Sequence, residues 1–286
     1  MHILSFGRTL PLAFRLLGAL LLVVPAAAHA ACELEPGDRA RAVEIVDGDT
    51  LVLDNGRQVR FTGIQAPKLP LGRANFKAWP LAGDAYSTLS ALALDKPVAL
   101  RHGGSHEDRH GRILAHVFAV DENGEVLWLQ QEMLRRGLAR VYTFRDNRAC
   151  AAELLAAERE AREARRGIWT VPFYAVRAAD DTATLARLHG GFELVEGVVV
   201  SAAVIRGRIY LNFGQDWQDD FTVTVAPGDA RLFLDDRIWS VLLEQTDGPS
   251  GLVGRRVRVR GWLGRYNGPE ITLTHPEQIE LLDEMP

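Results

Sequence analysis

Short apolar runs with polar residues at alternate positions dominate the first part of the chain after its apolar leader, which is typical of β-strands. Residues 43–46 and 51–53 carry apolar side chains on either side of an Asp-Gly-Asp-Thr turn at residues 47–50. An Asp-Asn-Gly turn follows at residues 54–56 and leads into a third run at residues 60–64. Turns of this composition between alternating runs are strong hairpin signals. The pattern therefore predicts three consecutive antiparallel strands.

The apolar spacing changes to a helical period in three later segments, residues 79–94, 126–136 and 153–169. Two strand-like runs, residues 98–101 and 113–120, lie between the first and second of these helices. The third helix carries a run of Glu and Arg from residue 158 onward, which predicts a solvated helix face. Together these elements predict a β-rich α+β domain.

The composition changes near residue 176, where a polar segment is followed by mainly β-type runs. Five β-rich segments follow, at residues 192–204, 208–213, 221–226, 256–263 and 271–274. We therefore predict two domains, residues 31–175 and 192–286, joined by a linker at residues 176–191. The second domain is expected to be a small β-barrel. Its aromatic residues, among them Trp262 and Tyr266, are expected to serve the core rather than to stack on bases.

Residues 1–30 have the pattern of a cleavable signal peptide, with Arg8 and Arg15 before an apolar stretch and a small-residue site ending at Ala30. Cleavage after Ala30 would deliver the protein to the periplasm or the exterior. No later segment has the length and apolarity of a membrane span. Loss of the two arginines changes the formal charge of −4 to −6. An acidic chain is unusual for a protein that binds a polyanion, since phosphate contacts depend on cations.

The chain contains two cysteines, Cys32 and Cys150. In an oxidising compartment an even number of cysteines predicts a disulfide bond. Two free buried thiols are the alternative.

Several motifs resemble the staphylococcal nuclease (thermonuclease) family. They are the Asp-Gly-Asp-Thr turn, the run from Arg60 to Lys68, Asp-Arg-His-Gly-Arg at residues 108–112, and the segments at residues 134–141 and 166–169. The resemblance covers about residues 41–170 and implies an oligonucleotide/oligosaccharide-binding (OB) barrel with added helices. We expect the second domain to be OB-like as well. The family hydrolyses phosphodiester bonds of DNA or RNA, using metal-bound carboxylates, a glutamate that activates water, and two arginines that hold the phosphate.

Carried over residue by residue, the resemblance assigns Asp49 to the metal and Arg60 and Arg112 to the phosphate. Gln65 stands where the family has a second metal aspartate, and Lys68 stands where it has the glutamate. Gln65 offers a neutral oxygen only, so any calcium site is expected to be weak. Lys68 is expected to be a phosphate-binding cation that partly stands in for the metal, or else a solvated surface lysine.

These observations favour an exported thermonuclease-like endonuclease with weak activity. A non-catalytic module that binds nucleic acid or another anionic ligand is the first alternative. A structural protein of the cell envelope, with two barrels as interaction modules, is the second.

Overall fold

The computed structural model of this chain describes His2 and residues 32–120, 126–236, 239–240 and 248–283. Apart from His2, the predicted signal peptide lies outside these residues. Among the residues described, no helix is both long and apolar enough to cross a membrane.

The N-terminal half forms a closed barrel, which we call the first barrel. Its sheet has the order β3-β2-β1-β5-β6-β7, and a parallel pairing of β3 with β6 closes it. The strands are β1 (Glu35–Asp47), β2 (Thr50–Leu53), β3 (Gln58–Phe61), β5 (Pro97–His102), β6 (Ile113–Val120) and β7 (Val126–Trp128). Two short strands, β4 (Ile64–Gln65) and β8 (Arg140–Val141), pair with each other beside the barrel. The OB-type barrel implied by the resemblance is confirmed.

Three helices cover the barrel, at α1 (Ala82–Ala93), α2 (Leu129–Arg135) and α3 (Ala151–Glu163). Their apolar faces enclose one core, which includes Leu89 of α1, Met133 of α2 and Leu154 of α3. The second helix begins later than predicted, because residues 126–128 form β7 and pair with β6. The predicted helix at residues 153–169 ends at Glu163, and Gly167–Thr170 forms a 3-10 turn.

The C-terminal half forms a second, curled sheet, which we call the second sheet. Its strand order is β11-β12-β13-β15-β14-β10-β9, with β16 also paired to β14. The strands are β9 (Arg177–Ala178), β10 (Phe192–Val198), β11 (Ser201–Ile205), β12 (Arg208–Asn212), β13 (Thr222–Val225), β14 (Arg256–Arg265), β15 (Pro269–Leu273) and β16 (Ile279–Leu281). The helices whose bounds are described include α4 (Thr182–Arg187) and α5 (Pro227–Leu234), with 3-10 turns at Pro172–Tyr174, Pro249–Leu252 and Pro276–Gln278. The predicted linker region thus contains β9 and α4.

A buried ion pair joins the first barrel to the second sheet. Glu158 on α3 is fully buried and bonds Arg260 of β14 twice, at 2.9 and 3.0 Å. Arg260 also bonds Glu280, and Arg162 bonds Glu158 at 2.8 Å. The prediction of a solvated face was therefore wrong for Glu158, because β14 covers that side of α3.

The predicted disulfide bond between Cys32 and Cys150 is present, with the two Cα atoms 4.9 Å apart. Cys150 directly precedes α3. The bond therefore ties the segment just before β1 to the helix that carries Glu158.

Candidate active site

The Asp-Gly-Asp turn between β1 and β2 positions two carboxylates side by side. Gly48 packs against α1 and the segment after β4 so closely that a Cβ atom would lie 2.6 Å from Ala85 Cβ and 2.7 Å from Ala66 Cβ. Only glycine fits such an approach without displacing its neighbours. The amide of Asp49 donates to Asp47 Oδ1 at 3.0 Å, which fixes the turn. Both aspartates are almost completely buried.

Lys68 binds both carboxylates. Its Nζ lies 2.7 Å from each carboxylate oxygen of Asp49 and 3.0 Å from Asp47 Oδ2. The Lys68 side chain is only 18% exposed, so it is not a solvated surface lysine. A protonated amine donates hydrogen bonds and accepts none. In this position Lys68 acts as an internal counter-ion for the pair of aspartates.

Arg60 adds a second cation to the same cluster. Its Nη1 lies 3.0 Å from Asp49 Oδ1, and its guanidinium also donates to three backbone carbonyl groups. Burial by itself would raise the pKa of Asp49, but the charges of Arg60 and Lys68 outweigh it and hold that pKa well below its usual range. Asp47 shows the opposite result, since burial and then the charge of Asp49 raise its pKa against the effect of Lys68. The cluster therefore contains two carboxylates and two cations.

Gln65 lies beside this cluster but faces a different partner. Its Oε1 accepts two hydrogen bonds from the guanidinium of Arg140, at 2.8 and 3.0 Å. Arg140 is buried on β8, which pairs with β4, and its guanidinium lies 4.7 Å from the ring centroid of Phe192. Burial lowers the pKa of Arg140 to about 10. The oxygen that Gln65 could offer to a metal ion is thus already bonded to a cation.

Arg112 lies just before the strand that pairs with the strand of Arg60. It immediately precedes β6, whose Leu114 pairs with Arg60 of β3. Asp108 accepts hydrogen bonds from the Nε and backbone amide of Arg112, at 2.7 and 3.1 Å, and holds the side chain in place. About a third of the Arg112 side chain remains exposed. Arg112 is therefore more accessible to an anion than Arg60.

The donor set does not fit a calcium ion. Calcium requires six to eight oxygen ligands, usually several of them carboxylates. Here Lys68 bonds both aspartates and Arg140 bonds the Gln65 oxygen. Within the described part of the chain, no group of three His, Cys, Asp or Glu side chains is arranged to hold a metal ion. The cation that balances the carboxylates comes from the protein itself.

Sequence reasoning missed two residues of this arrangement. Asp47 stands two positions before Asp49 in the same turn. This spacing was a local signal that Asp47 could share the partner of Asp49, Lys68. Arg140 lies 75 positions from Gln65. Nothing local to either residue indicates that contact, because it depends on how β8 pairs with β4.

Comparisons with known proteins agree with this architecture. Residues 58–171 match the family model described as staphylococcal nuclease homologue. The thermonuclease of Staphylococcus intermedius is 26% identical over 136 residues, which cover 46% of this chain and 77% of that protein. Endonuclease YncB of Bacillus subtilis strain 168 is 28% identical over 134 residues, covering 45% of this chain and 60% of that protein. An uncharacterised protein of Bacillus anthracis is 38% identical over 143 residues, 46% of this chain and 61% of its own.

The barrel, the Asp-Gly-Asp turn and the two arginines define a protein of the nuclease class built on an OB-type fold. Residues 58–171 carry a divergent domain of the staphylococcal nuclease family. The second sheet lies outside the matched segment.

Proposed function

We propose that this protein is an exported, thermonuclease-like endonuclease whose cleavage of DNA or RNA is weak. The observation that carries the proposal is the contact of Lys68 Nζ with Asp47 and Asp49 at 2.7 to 3.0 Å. Phosphodiester hydrolysis needs a group that accepts a proton from water and a centre that stabilises charge on the phosphate. The family fold and Arg112 support the stabilisation of charge on the phosphate. Lys68 in its charged form cannot accept a proton from water.

The size of the deficit follows from general catalysis. A general base typically contributes about 10²- to 10⁴-fold to a rate. A metal ion adds charge stabilisation and an activated water. Because Asp47 and Asp49 are already neutralised by cations, we expect calcium binding weaker than about 1 mM, the weak end of protein sites. Calcium should therefore stimulate cleavage little.

A cleavage assay tests the proposal. The protein lacking residues 1–30 is incubated with single-stranded DNA or RNA, in calcium and in a chelator. We expect slow cleavage that Arg60→Ala or Arg112→Ala abolishes. Arg231→Ala, which removes a highly exposed cation from α5, is the control and should have no effect. Fast cleavage that depends on calcium would contradict the proposal, since it would require a base and a metal site that these contacts do not supply.

The double variant Gln65→Asp with Lys68→Glu restores the family carboxylates. It should regain part of the calcium-stimulated cleavage, because Asp49, Arg60 and Arg112 remain in place. Recovery is expected to be partial, since the guanidinium of Arg140, now 2.8 Å from Gln65 Oε1, would pair with the new carboxylate.

A non-catalytic module for nucleic acid or another anion is the second candidate function. The partial exposure of Arg112, beside the exposed Arg109 and His110, favours it. This function predicts no cleavage by the unmodified protein or by the double variant Gln65→Asp with Lys68→Glu. It also predicts binding to an oligonucleotide that falls steeply with salt and is lost on replacing Arg112. Absence of both cleavage and binding would favour a structural role in the cell envelope.

A further inference from the structure

A cavity of about 460 Å³ lies where the chain after β8 meets the hairpin of β14 and β15. Its size is within the range of small-molecule pockets, about 300–1,000 Å³. The first barrel contributes Tyr142 and Phe144, and the second sheet contributes Phe192, Trp262 and Tyr266. Aromatic rings from both halves of the chain therefore form part of the cavity wall.

The alternation of side chains along β14 and β15 explains why the cavity is open. Leu263 and Ile271 pair across the two strands and point into the second core. Trp262 and Gly264 occupy the opposite face of β14, since successive residues of a strand face opposite sides. A Cβ atom on Gly264 would meet only a backbone oxygen at 3.6 Å. The missing side chain at Gly264 leaves space beside Trp262.

Trp262 and Tyr266 are not core residues, contrary to the expectation from sequence, whereas Phe192 on the same cavity wall is buried. Trp262 is 51% exposed and Tyr266, at the tip of the hairpin, is 80% exposed. Phe144 is also about half exposed. Clustered exposed aromatic side chains mark interaction sites more often than scattered single ones.

The Trp262 ring is held in a fixed orientation. Its Nε1 donates to Tyr142 Oη at 3.1 Å. Tyr142 and Phe192 contact the indole at interplanar angles of 82° and 75°. Among the residues described, no ring is stacked parallel on Trp262. A rigid, preorganised aromatic face costs little entropy on binding a planar ligand.

The rim of the cavity supplies polar groups suited to a nucleotide. Arg265 is exposed, and no described residue forms an ion pair or a hydrogen bond with its side chain. Thr272 and Thr274 also line the cavity. Their hydroxyl groups donate to Glu270 Oε1 at 3.2 Å and to Gln278 Oε1 at 3.0 Å, and each hydroxyl oxygen can still accept a hydrogen bond. Glu270 adds one negative charge, so the cavity is nearly neutral. Such a site suits the uncharged face of a base, with a single cation for an adjacent phosphate.

The cavity is connected to the family site through the backbone. The amide of Tyr142 donates to the carbonyl of Gly63 at 2.9 Å, and β8 pairs with β4, which carries Gln65. The wall of the cavity is thus the direct continuation of a strand beside the Asp49 cluster.

We propose that this cavity binds an unpaired base of single-stranded DNA or RNA, stacked on Trp262 and Tyr266, with Arg265 at a flanking phosphate. The proposal rests on the nucleic-acid function proposed above and adds a subsite outside the family domain. It assigns the second sheet a part in recognising the strand.

The test is the affinity of the purified exported protein for a fluorescent oligothymidylate, measured by anisotropy in a chelator so that cleavage does not interfere. Stacking contributes about 1–3 kcal/mol per base, which corresponds to a loss of at least about fivefold in affinity. We expect that loss for Trp262→Ala and for Tyr266→Ala. Trp217→Ala is the matched control, since Trp217 is equally exposed but lies outside the cavity, and it should leave the affinity unchanged.

Trp262→Ala also removes the hydrogen bond to Tyr142, so a second variant separates stacking from folding. Gly264→Leu places a side chain in the space beside Trp262 and keeps every aromatic ring, and it should weaken binding to a similar extent. An abasic oligonucleotide of equal length should bind the unmodified protein as weakly as the oligothymidylate binds Gly264→Leu. Thymidine monophosphate should bind far more weakly than the strand.

Equal affinity of all variants for the oligothymidylate would overturn the inference, as would equal affinity of the unmodified protein for the abasic strand. Equally tight binding of thymidine monophosphate would show that the cavity takes free nucleotides instead of a strand. Cleavage, assayed separately, reports on the proposed nuclease function. Binding that depends on Trp262 in the absence of cleavage would overturn the proposed nuclease function and support the proposed base-binding cavity. Cleavage combined with binding that is insensitive to Trp262 would support the nuclease function and overturn the base-binding cavity.

Discussion

Replacing Lys68 by alanine should convert the aspartate pair from a closed ion cluster into a weak calcium site. The change leaves the buried Asp47 and Asp49 with Arg60 as the one cation that contacts Asp49 among the residues described. Removing one partner of a buried ion pair costs about 3–5 kcal/mol. We expect the lower end of that range, because the Lys68 side chain is partly exposed.

Calcium should recover part of this loss in the variant and none in the unmodified protein. For a dissociation constant of about 1 mM, 10 mM calcium adds about 1.4 kcal/mol of stability by mass action. For a domain of this size that corresponds to a rise of roughly 3–6 °C in Tm. The assay is thermal unfolding followed by circular dichroism, with and without 10 mM calcium, and with 10 mM magnesium as the ionic-strength control.

Two further variants control for the loss of a lysine. Lys68→Arg keeps the internal cation and should show no response to calcium. Lys77→Ala removes an exposed lysine and should match the unmodified protein. A calcium-dependent rise in the unmodified protein as large as that in Lys68→Ala would refute the reasoning, because it would mean that the metal displaces Lys68. Calorimetric titration should likewise give no micromolar calcium binding to the unmodified protein.

Three other predictions concern stability. Glu158→Gln should lower the free energy of unfolding, measured in urea, by about 3–5 kcal/mol, because it removes a negative charge that the buried Arg260 contacts. The control is Glu163→Gln at an exposed position of the same helix, which should change the free energy of unfolding by less than about 0.5 kcal/mol. Burial by itself would raise the pKa of Glu158, but Arg260 and then Arg162 lower it below its usual value. The stabilisation from Glu158 is therefore complete above the unfolded-state pKa of about 4.3 and is lost as the pH falls through the lower folded pKa. Urea unfolding between pH 3 and 7 should show this decrease in the free energy of unfolding. The Glu158→Gln variant should show a smaller decrease over the same pH range. Finally, mass spectrometry without reductant should find the peptides of Cys32 and Cys150 linked. Replacing both cysteines by serine should lower the free energy of unfolding by about 2–5 kcal/mol. Complete alkylation of both thiols without reductant would contradict the bond.

Local signals determined much of the fold. The Asp-Asn-Gly turn imposes a hairpin because Gly56 has a φ of 80°, which few other residues adopt. In the Asp-Gly-Asp turn, glycine is required instead by the close approach of Ala66 and Ala85. Periodicity located α1 and α3 to within a few residues of their N-terminal ends. Residues 126–128 were misassigned to a helix because a short apolar run before a helix has no distinct period, and pairing with β6 decided their conformation.

Charge roles depended on the tertiary structure. Glu158 belongs to a helix face rich in Glu and Arg, and such a pattern is the same whether water or a second sheet covers it. Lys68 follows a proline in a surface-like sequence, yet the turn that carries Asp47 and Asp49 folds over it. In both cases the partner is distant along the chain, so the sequence of the element itself carries no information about it.

The sequence by itself thus determined the family, the barrel and the residues that depart from the family pattern, Gln65 and Lys68. Only the tertiary structure decided what those departures contact. Gln65 bonds Arg140 across the β4–β8 pairing, and Lys68 bonds the aspartates of the β1–β2 turn. The physical reason is that turns and periodicity are set within a few residues. Burial and ion pairing are set instead by which distant elements the fold brings together.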